Sequence, residues 1–279
     1  MTPTASRFFD APASAISAAD EARFFSAIRL ANGTFKTTAA GRMRDLDALL
    51  ARCAHDHRLL APAVLDVAVS SGVTTAELGR ALADAGLRPA ITATDLAIEA
   101  RLVEVARGVR VLQDSAGRDL QYDIAGVPIR PWARRLDYVT GYRLLSMLAR
   151  RLCRNNKDSP ARSVQLISRR IDDRSGISFV EDDLMRPNPQ FERRFDIVRA
   201  ANVLNRDYFE HTTLSAMISN LIAYLRGPGA LLVLNRTHLD GSNQGSICRL
   251  EPSGAMALLA RIGRGSEVEE EALAWRPAA

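Results

Sequence analysis

After Pro62 the sequence alternates between short apolar segments and amphipathic ones. The segments AVLDVAV and AITATDL are typical of buried strands, and each runs into acidic or small residues. The segment TTAELGRALADAG follows the first strand with helical spacing, and AIEARLVEVARG after the second strand is also predicted to be a helix. Strands that alternate with helices form βαβ units with parallel strands. The sequence therefore predicts an α/β fold with a Rossmann-like, doubly wound, mostly parallel sheet.

The same alternation continues further along the chain. Two more strands are predicted in SGISFVEDDL and RRFDIVRAANVL, and the helix HTTLSAMISNLIAYLRG leads through a Gly-Pro-Gly turn into the strand ALLVLNRT. The acidic segment GSEVEEEALAWRP near the end is compatible either with an antiparallel last strand or with a solvated edge. We expect one domain of this type over residues 61–279.

A short helical region is predicted before that domain, over residues 1–60. Apolar residues recur at helical spacing from Ala19 to Leu30 and from Gly41 to Ala54. Residues 1–18 are rich in Ala, Ser, Thr and Pro, and we expect them to be loosely held.

One long segment, residues 111–162, interrupts the alternation. It far exceeds the usual connection of a few residues, so it should carry structure or function of its own, and we predict a helical insertion. Its helix has an apolar stripe and a basic face; the stripe is Leu144, Met147, Leu148 and Leu152, and the basic face is Arg143, Arg150 and Arg154. The helix either packs on the domain edge with its basic face in solvent, or it caps the substrate, or the basic segment 130–154 meets an anionic membrane surface or an acidic partner.

Composition excludes some classes of protein and leaves others open. With 47% hydrophobic and 25% charged residues, the chain resembles ordinary globular proteins. The net charge of +5 comes almost wholly from arginine, and no basic stripe is interleaved with aromatic residues, so nucleic acid is not an expected partner. No stretch approaches the roughly 20 apolar residues of a membrane-spanning helix, and the first residues lack a signal-peptide core. We therefore expect a cytoplasmic protein; the oligomeric state is open.

Cysteine and histidine spacing does not indicate a metal site. Cys53, Cys153 and Cys248 are isolated and form no CxxC pair. His55 and His57 form an HxH pair that would have to be extended by further ligands to bind a metal, and a surface loop is favoured. We predict no bound metal.

Acidic residues stand at the ends of successive predicted strands. Asp66 ends the first strand, Asp95 the second, and Asp182 with Asp183 the third, while Asn202 follows the fourth. In open α/β sheets ligands bind at the carboxyl ends of the strands, where the strand order reverses. Each acid taken alone is more simply a helix cap or a turn former. Three of them in the right order favour a nucleotide-type cofactor site.

The loop between the first strand and its helix, Ala68 to Gly72, has only one glycine. A dinucleotide site would use GxGxxG, because the backbone must approach a pyrophosphate above the helix N-terminus. Small side chains such as those of Ala68 and Ser70 suffice for a cofactor that brings no phosphate. A nicotinamide or flavin oxidoreductase is the alternative that this loop disfavours.

Several short motifs together resemble a known family. The loop Ala68-Val69-Ser70-Ser71-Gly72 is similar to a Gly-Cys-Ser-Thr-Gly loop, and Ala93-Thr94-Asp95 matches an Ala-Thr-Asp strand end. Further similar blocks are Phe195-Asp196-Ile197-Val198, Asn202-Val203-Leu204 with Tyr208-Phe209, and Pro228-Gly229-Ala230-Leu231-Leu232. The core from Val64 to Thr237 thus resembles class I S-adenosylmethionine-dependent methyltransferases, and the pattern is most similar to the chemotaxis-receptor glutamate methyltransferases.

The resemblance implies S-adenosyl-L-methionine as cofactor and methyl transfer to an oxygen or nitrogen acceptor. It implies that Asp95 holds the ribose hydroxyls and that an acid after the third strand accepts from the adenine amino group. The implied cofactor-binding residues are Asp66, Ala68, Ser70, Gly72, Asp95, Leu96, Asp182, Asp183 and Ala200. The implied catalytic residues, on the acceptor side, are Asn202, Tyr208 and His211, although for His211 a surface position at a helix N-terminus is favoured over a role as general base.

Departures from the family pattern bear on the acceptor. Ala68 replaces the first loop glycine, and Ala201 stands where the family has an arginine, while an arginine occurs two positions earlier at Arg199. These differences, together with the apolar and basic insertion, favour a small-molecule or lipid-like acceptor over a receptor glutamate. A protein glutamyl methyltransferase and a non-catalytic binding module of the same fold are the alternatives.

Overall fold

A computed structural model describes residues 2–133, 137, 139, 141–154, 160–172 and 176–276. The chain divides into two compact units. Unit 1 comprises Met1–Thr38 and Ala97–Arg170, and unit 2 comprises Ala39–Leu96 and Ile171–Ala279.

The described residues form helices and strands in the following order along the chain. The helices are α1 (Ala5–Asp10), α2 (Ala18–Ser26), α3 (Arg44–Asp56), α4 (Val73–Asp84), α5 (Tyr142–Arg154), α6 (His211–Ala223) and α7 (Glu269–Ala274). The strands are β1 (Ala63–Val67), β2 (Ala90–Asp95), β3 (Glu99–Ala106), β4 (Val109–Asp114), β5 (Asp119–Ile124), β6 (Val127–Ile129), β7 (Ala161–Gln165), β8 (Ile177–Glu181), β9 (Ile197–Ala201), β10 (Leu231–Thr237), β11 (Asn243–Leu250) and β12 (Met256–Ile262).

Unit 2 is built on a seven-stranded sheet with the order β12-β11-β10-β9-β1-β2-β8. The five strands from β8 to β10 run parallel, while β11 and β12 are added as antiparallel hairpins. Numbered within the sheet in chain order, the sequence of strands is 3-2-1-4-5-6-7, which extends the Rossmann order 3-2-1-4-5-6. The predicted doubly wound, mostly parallel sheet is confirmed, and its switch point lies between β1 and β9.

Helices cover both faces of this sheet because its central strands are apolar on both sides. One buried cluster contains Val64 of β1 and Leu78 of α4, and the opposite cluster contains Leu65 of β1 and Leu221 of α6. Continuous apolar strands of this kind are typical of parallel sheets that are buried on both faces. The strand ends, and not the faces, are therefore left for a ligand.

Unit 1 is a five-stranded antiparallel sheet, β6-β5-β4-β3-β7, with α1, α2 and α5. Its main core contains Phe8 of α1, stacked on Phe24 of α2 with ring centroids 4.1 Å apart. Because Phe8 is fully buried, the prediction that residues 1–18 are loosely held is wrong.

The prediction of a helix over residues 97–108 is also wrong, because Glu99–Ala106 form strand β3. Exposed and buried residues nearly alternate there, with Ala100, Leu102 and Val105 buried and Arg101 exposed. This period of two belongs to a strand. The insertion therefore begins at Ala97 rather than at 111, and it is mostly sheet; the predicted helix within it is present as α5.

Two other predictions differ from the structure. The helical region expected over residues 1–60 is divided, because α1 and α2 belong to unit 1 whereas α3 belongs to unit 2. The acidic segment near the end is a strand in neither sheet; it contains α7, whose Glu269 accepts a hydrogen bond from Ser246. No helix among the described residues has the length and apolar character that crossing a bilayer requires.

Candidate functional site

The loop that follows β1 has an unusual backbone. Ala68 has φ = +56°, Ser70 has φ = +59° and Gly72 has φ = +76°. The left-handed region is natural for glycine but costs an L-amino acid about 1–2 kcal/mol. Two residues with side chains therefore hold the alternating conformation that a glycine-rich loop would adopt. Strain of this kind is concentrated at ligand sites, where the surrounding structure enforces it.

Hydrogen bonds tie this loop to the end of β2. The Val69 N–H donates to the Thr94 carbonyl (3.0 Å), and the Ser70 N–H donates to Oδ2 of Asp95 (2.6 Å). Asp95 is only 6% exposed. The loop and Asp95 are thus brought together, as the sequence predicts.

Gly72 begins α4 at a point where no side chain fits. A Cβ there would lie 2.8 Å from Cε1 of Phe179 and 3.0 Å from Cδ1 of Ile171. Together with its positive φ, this close packing explains why the single loop glycine is at this position.

The end of β8 also meets the end of β2. The Asp182 N–H donates to the Asp95 carbonyl (3.1 Å), and Oδ1 of Asp182 accepts from the Asn188 amide (2.8 Å). Burial raises the pKa of Asp182 despite that bond. The side chain of Asp183 is 38% exposed and accepts a hydrogen bond from the Met185 N–H (3.1 Å). The predicted acids Asp95, Asp182 and Asp183 therefore lie at adjacent strand ends.

The remaining predicted cofactor residues lie beside this loop. Leu96 follows Asp95 and is half-buried, while Ala200 is buried in β9 opposite Val67 of β1. The hydroxyl of Ser70 is buried and has no hydrogen-bond partner among the described residues. A buried polar atom without a partner is rare in native proteins, and a ligand is one explanation of it.

Under the loop lies an ion-pair network centred on Arg199 of β9, which is 1% exposed. The parallel register places Arg199 opposite Asp66, and its Nε and Nη2 donate to the two carboxylate oxygens of Asp66 at 2.9 and 2.6 Å. The remaining donors reach Oδ1 of Asp47 (2.7 Å), the Thr74 carbonyl (3.1 Å) and Sδ of Met43 (3.8 Å). All five N–H donors of the guanidinium are used.

This network gives Asp66 a structural role. Its carboxylate is 2% exposed and bonds Arg199, and Oδ2 also accepts from the Thr75 hydroxyl (2.6 Å). Asp66 therefore holds the sheet and α4 together, and its part in cofactor binding stays a prediction. Sequence reasoning missed Arg199 and Asp47 as a unit, although an arginine inside a buried parallel strand signals a buried counter-ion.

Two carboxylates share the Arg199 guanidinium, and Arg42 and Glu77 add one nearby charge of each sign, so negative charge is in excess. Burial raises the pKa of Asp47 to about 6, although Arg199 opposes this effect. Burial alone would lower the pKa of Arg199, but the charge of Asp66 and the bonds to it outweigh burial and raise that pKa. Arg199 therefore stays charged, whereas the raised pKa of Asp47 lets this carboxyl take up a proton at about pH 6.

The predicted catalytic residues do not converge on one point. Asn202, at φ = +61°, accepts the Thr237 N–H on its Oδ1 (2.6 Å) and is thereby fixed to the end of β10. The side chain of His211 is 75% exposed and lies 3.6 Å from Glu271, and Tyr208 is 69% exposed. Catalytic roles for these three residues stay predictions.

No metal-binding cluster of three or more histidine, cysteine or acidic side chains occurs in the part of the chain that the structure describes. His55 is 64% exposed and lies 3.8 Å from Asp56.

Comparison with known proteins yields structural similarity only. No family model and no curated protein sequence matches the chain. The solved structures it resembles include a 1,6-didemethyltoxoflavin-N1-methyltransferase from Burkholderia thailandensis with bound S-adenosylhomocysteine (15% identity, TM-score 0.35, 83% of this chain and 64% of that chain). Another is an amino pentose methyltransferase from Micromonospora echinaspora with bound S-adenosylmethionine (12% identity, TM-score 0.34, 82% of this chain and 80% of that chain). These similarities are too low to assign an activity, and the fold follows from the strand order.

Proposed function

We propose that unit 2 binds S-adenosylmethionine at the loop after β1 and that the chain transfers its methyl group to an oxygen or nitrogen acceptor. The observation that carries the proposal is the alternating left-handed backbone at Ala68, Ser70 and Gly72, tied to Asp95 at the next strand end. The family resemblance of the sequence supports the same cofactor.

The residues of the loop fit a cofactor without phosphate groups. Ser70 offers a buried hydroxyl without a partner among the described residues, and Asp95 offers a carboxylate at the strand end. A charged carboxylate is a strong acceptor for sugar hydroxyls. Ala68 keeps the glycine-like backbone and adds one methyl group. A cofactor without a pyrophosphate can tolerate this group, because the loop backbone need not approach it as closely.

The cofactor supplies an electrophilic methyl group on a positively charged sulfur. The chain would supply orientation: Asp95 would hold the ribose, and Asp182 or Asp183 would accept from the adenine amino group. Holding the donor and the acceptor in near-attack geometry accounts for a large part of the rate enhancement of such bimolecular reactions. An oxygen or nitrogen nucleophile needs a base only if it must lose a proton.

We further propose a small-molecule or lipid-like acceptor. In the resembling family an arginine precedes the position of Asn202, but Ala201 is there and is 8% exposed. Arg199 does not replace that arginine, because it is 1% exposed and all its donors are used. Neither position 199 nor position 201 thus supplies the cation that would favour a glutamyl side chain; a protein glutamyl methyltransferase and a non-catalytic binding module are the alternatives.

Isothermal titration of the folded chain with S-adenosylmethionine, S-adenosylhomocysteine and NADH tests the proposal. We expect saturable binding of the first two and none of NADH. A chain that is folded by circular dichroism but binds neither sulfur compound contradicts the proposal, and binding of NADH alone indicates an oxidoreductase. If S-adenosylmethionine binds but no methyl transfer is found across small-molecule, lipid and protein acceptors, the binding-module alternative is favoured.

A further inference from the structure

Helix α5 of unit 1 exposes most of its large apolar side chains. Leu144, Leu145, Leu148 and Leu152, here called the leucine face, are 62%, 49%, 50% and 45% exposed, and the neighbouring Met147 is 58% exposed. An isolated exposed leucine needs no explanation, but a contiguous apolar strip along one helix marks an interaction surface.

The leucine face is outward because α5 docks through a different stripe. Ala149 is fully buried in a cluster with Val105 and Tyr122 of the sheet, and Tyr142 packs against that cluster. Residues 142, 146 and 149 lie on one side of the helix at spacings of four and three. This docking stripe is small and partly polar, so the sheet holds α5 without using its most apolar residues.

The start of α5 is firmly anchored, which fixes the direction in which the leucine face points. The Arg130 guanidinium lies 4.7 Å from the ring centre of Trp132 and 4.6 Å from that of Tyr142, and it pairs with Asp137 at 2.7 Å. The ring of Phe35, 41% exposed, meets Trp132 edge to face. Aromatic side chains with one polar end are favoured at the boundary between apolar and aqueous phases.

The helix is also basic. Its thirteen residues include Arg143, Arg150, Arg151 and Arg154 and no acidic residue. A helix with a leucine face and an arginine face is typical of segments that lie in the plane of a membrane surface, where the arginines meet anionic headgroups. At about 1.5 Å per residue it is about 20 Å long, which is too short to cross the roughly 30 Å hydrocarbon core.

We propose that α5 is an interfacial helix that docks unit 1 on a bilayer containing anionic lipid. The leucine face enters the headgroup boundary and the exposed Arg151 pairs with lipid phosphates, whereas Arg150 bonds Tyr122 of the sheet. Charge favours this occupant over a second copy of the chain, because a second α5 has no acidic residue to pair with the arginines of the first, whereas anionic lipid supplies phosphates. Residues 134–136, 138 and 140 of the basic segment 130–154 lie outside the described residues. The proposal does not depend on the proposed methyl transfer.

The test is co-sedimentation of the full chain with phosphatidylcholine vesicles that contain or lack phosphatidylglycerol. We expect the chain to pellet only with the anionic vesicles and to be released when NaCl is raised from about 0.1 M to about 0.5 M, which shortens the screening length. The variant Leu144→Ser/Leu148→Ser should lose at least tenfold in vesicle affinity. The matched control is Leu60→Ser/Leu239→Ser, which changes two exposed leucines away from α5 (59% and 111% exposed) and should bind as the unaltered chain does.

Failure of the unaltered chain to pellet with anionic vesicles overturns the proposal, as does equal loss in both double variants. Analytical ultracentrifugation without lipid tests the alternative that a second copy of the chain covers the leucine face. Self-association that disappears in Leu144→Ser/Leu148→Ser, without vesicle binding, would make the leucine face a contact between two copies and would contradict the membrane assignment. Unchanged binding of S-adenosylhomocysteine in the same variant keeps this outcome separate from that of the proposed function.

Discussion

The loop after β1 in unit 2 and helix α5 in unit 1 both break a local rule of protein structure, but they do so in opposite ways. The loop holds Ala68 and Ser70 in a conformation suited to glycine, and its neighbours are buried. Helix α5 has an ordinary backbone but exposes leucines that a core would normally contain. Violations of this kind in natural proteins are expected at functional positions, so the two regions are separate functional candidates.

The two regions also differ in how they are supported. The loop rests on a fully bonded Arg199 network and on backbone hydrogen bonds to β2. Helix α5 rests on one buried alanine and on contacts at its first turn. The rigid Arg199 network suits a loop that must position a small ligand. The few contacts of α5 with the sheet leave its leucine face available to bind a membrane surface.

The largest effect is expected from Arg199→Met, which removes the base of the loop. It leaves the carboxylates of Asp66 and Asp47 buried without their partner, which typically costs about 3–5 kcal/mol in free energy of unfolding. Urea denaturation followed by circular dichroism measures this. Arg226→Met is the control, because Arg226 is 57% exposed in its pair with Asp196 and such pairs contribute about 0–1 kcal/mol. Equal losses in the two variants would show that the Arg199 network does not support the loop.

The pH dependence of unfolding tests the same network through Asp47. Its pKa is raised from 3.8 to about 6 in the folded chain, so the folded state binds this proton more tightly than the unfolded state does. The contribution to stability is therefore present at low pH and is lost as pH rises through 6. Asp47→Asn does not titrate, so the unfolding free energy of the unaltered chain minus that of the variant should fall by about 2 kcal/mol between about pH 4 and pH 7. A difference that does not change, or that rises with pH, contradicts the excess of buried negative charge.

The smallest effect is expected in the loop itself. Ala68→Gly relieves about 1–2 kcal/mol of left-handed strain, and the greater freedom of glycine in the unfolded chain offsets about 0.4–1 kcal/mol of this. The free energy of unfolding should rise by about 0.5–1 kcal/mol, measured by denaturation at neutral pH. The matched control is Ala216→Gly, at an exposed position inside α6. This change should lower the free energy of unfolding by about 1 kcal/mol. Two losses of similar size would mean that Ala68 is not strained.

The sequence was sufficient to predict the five parallel strands of unit 2, but not its antiparallel strands β11 and β12 and not unit 1. In β1 and β2 the apolar segments are short and bounded by Pro62 and by the loop, so strand and helix are easily distinguished. In β3 the charged residues fit both elements. Arg101 and Glu104 are three residues apart, as on one side of a helix, whereas Glu99 and Arg101 are two residues apart, as on one side of a strand. Pairing of β3 with β4 and β7, which period alone does not reveal, decides for the strand.

The candidate site was predictable where it depends on order along the chain. Asp95 and the loop lie one βα unit apart, so their meeting follows from the fold. The link between Asp47 and Arg199 joins residues 152 positions apart and depends on how α3 packs, which no local pattern contains. The positive φ of Ala68 was also not predictable, because alanine has no preference for that conformation and the packed loop imposes it.

Binding of S-adenosylhomocysteine to Asp95→Asn, measured by isothermal titration beside the unaltered chain, tests whether the loop after β1 and Asp95 form a cofactor site. Asparagine keeps an oxygen that accepts the Ser70 N–H but loses the charge that would hold the ribose hydroxyls. We predict that the unaltered chain binds and that Asp95→Asn binds at least tenfold more weakly, since a hydrogen bond to a charged group contributes about 1.5–3 kcal/mol. Asp84→Asn, at an exposed position in α4, should bind normally. No binding by the folded unaltered chain, or equal affinity in Asp95→Asn, would contradict the account.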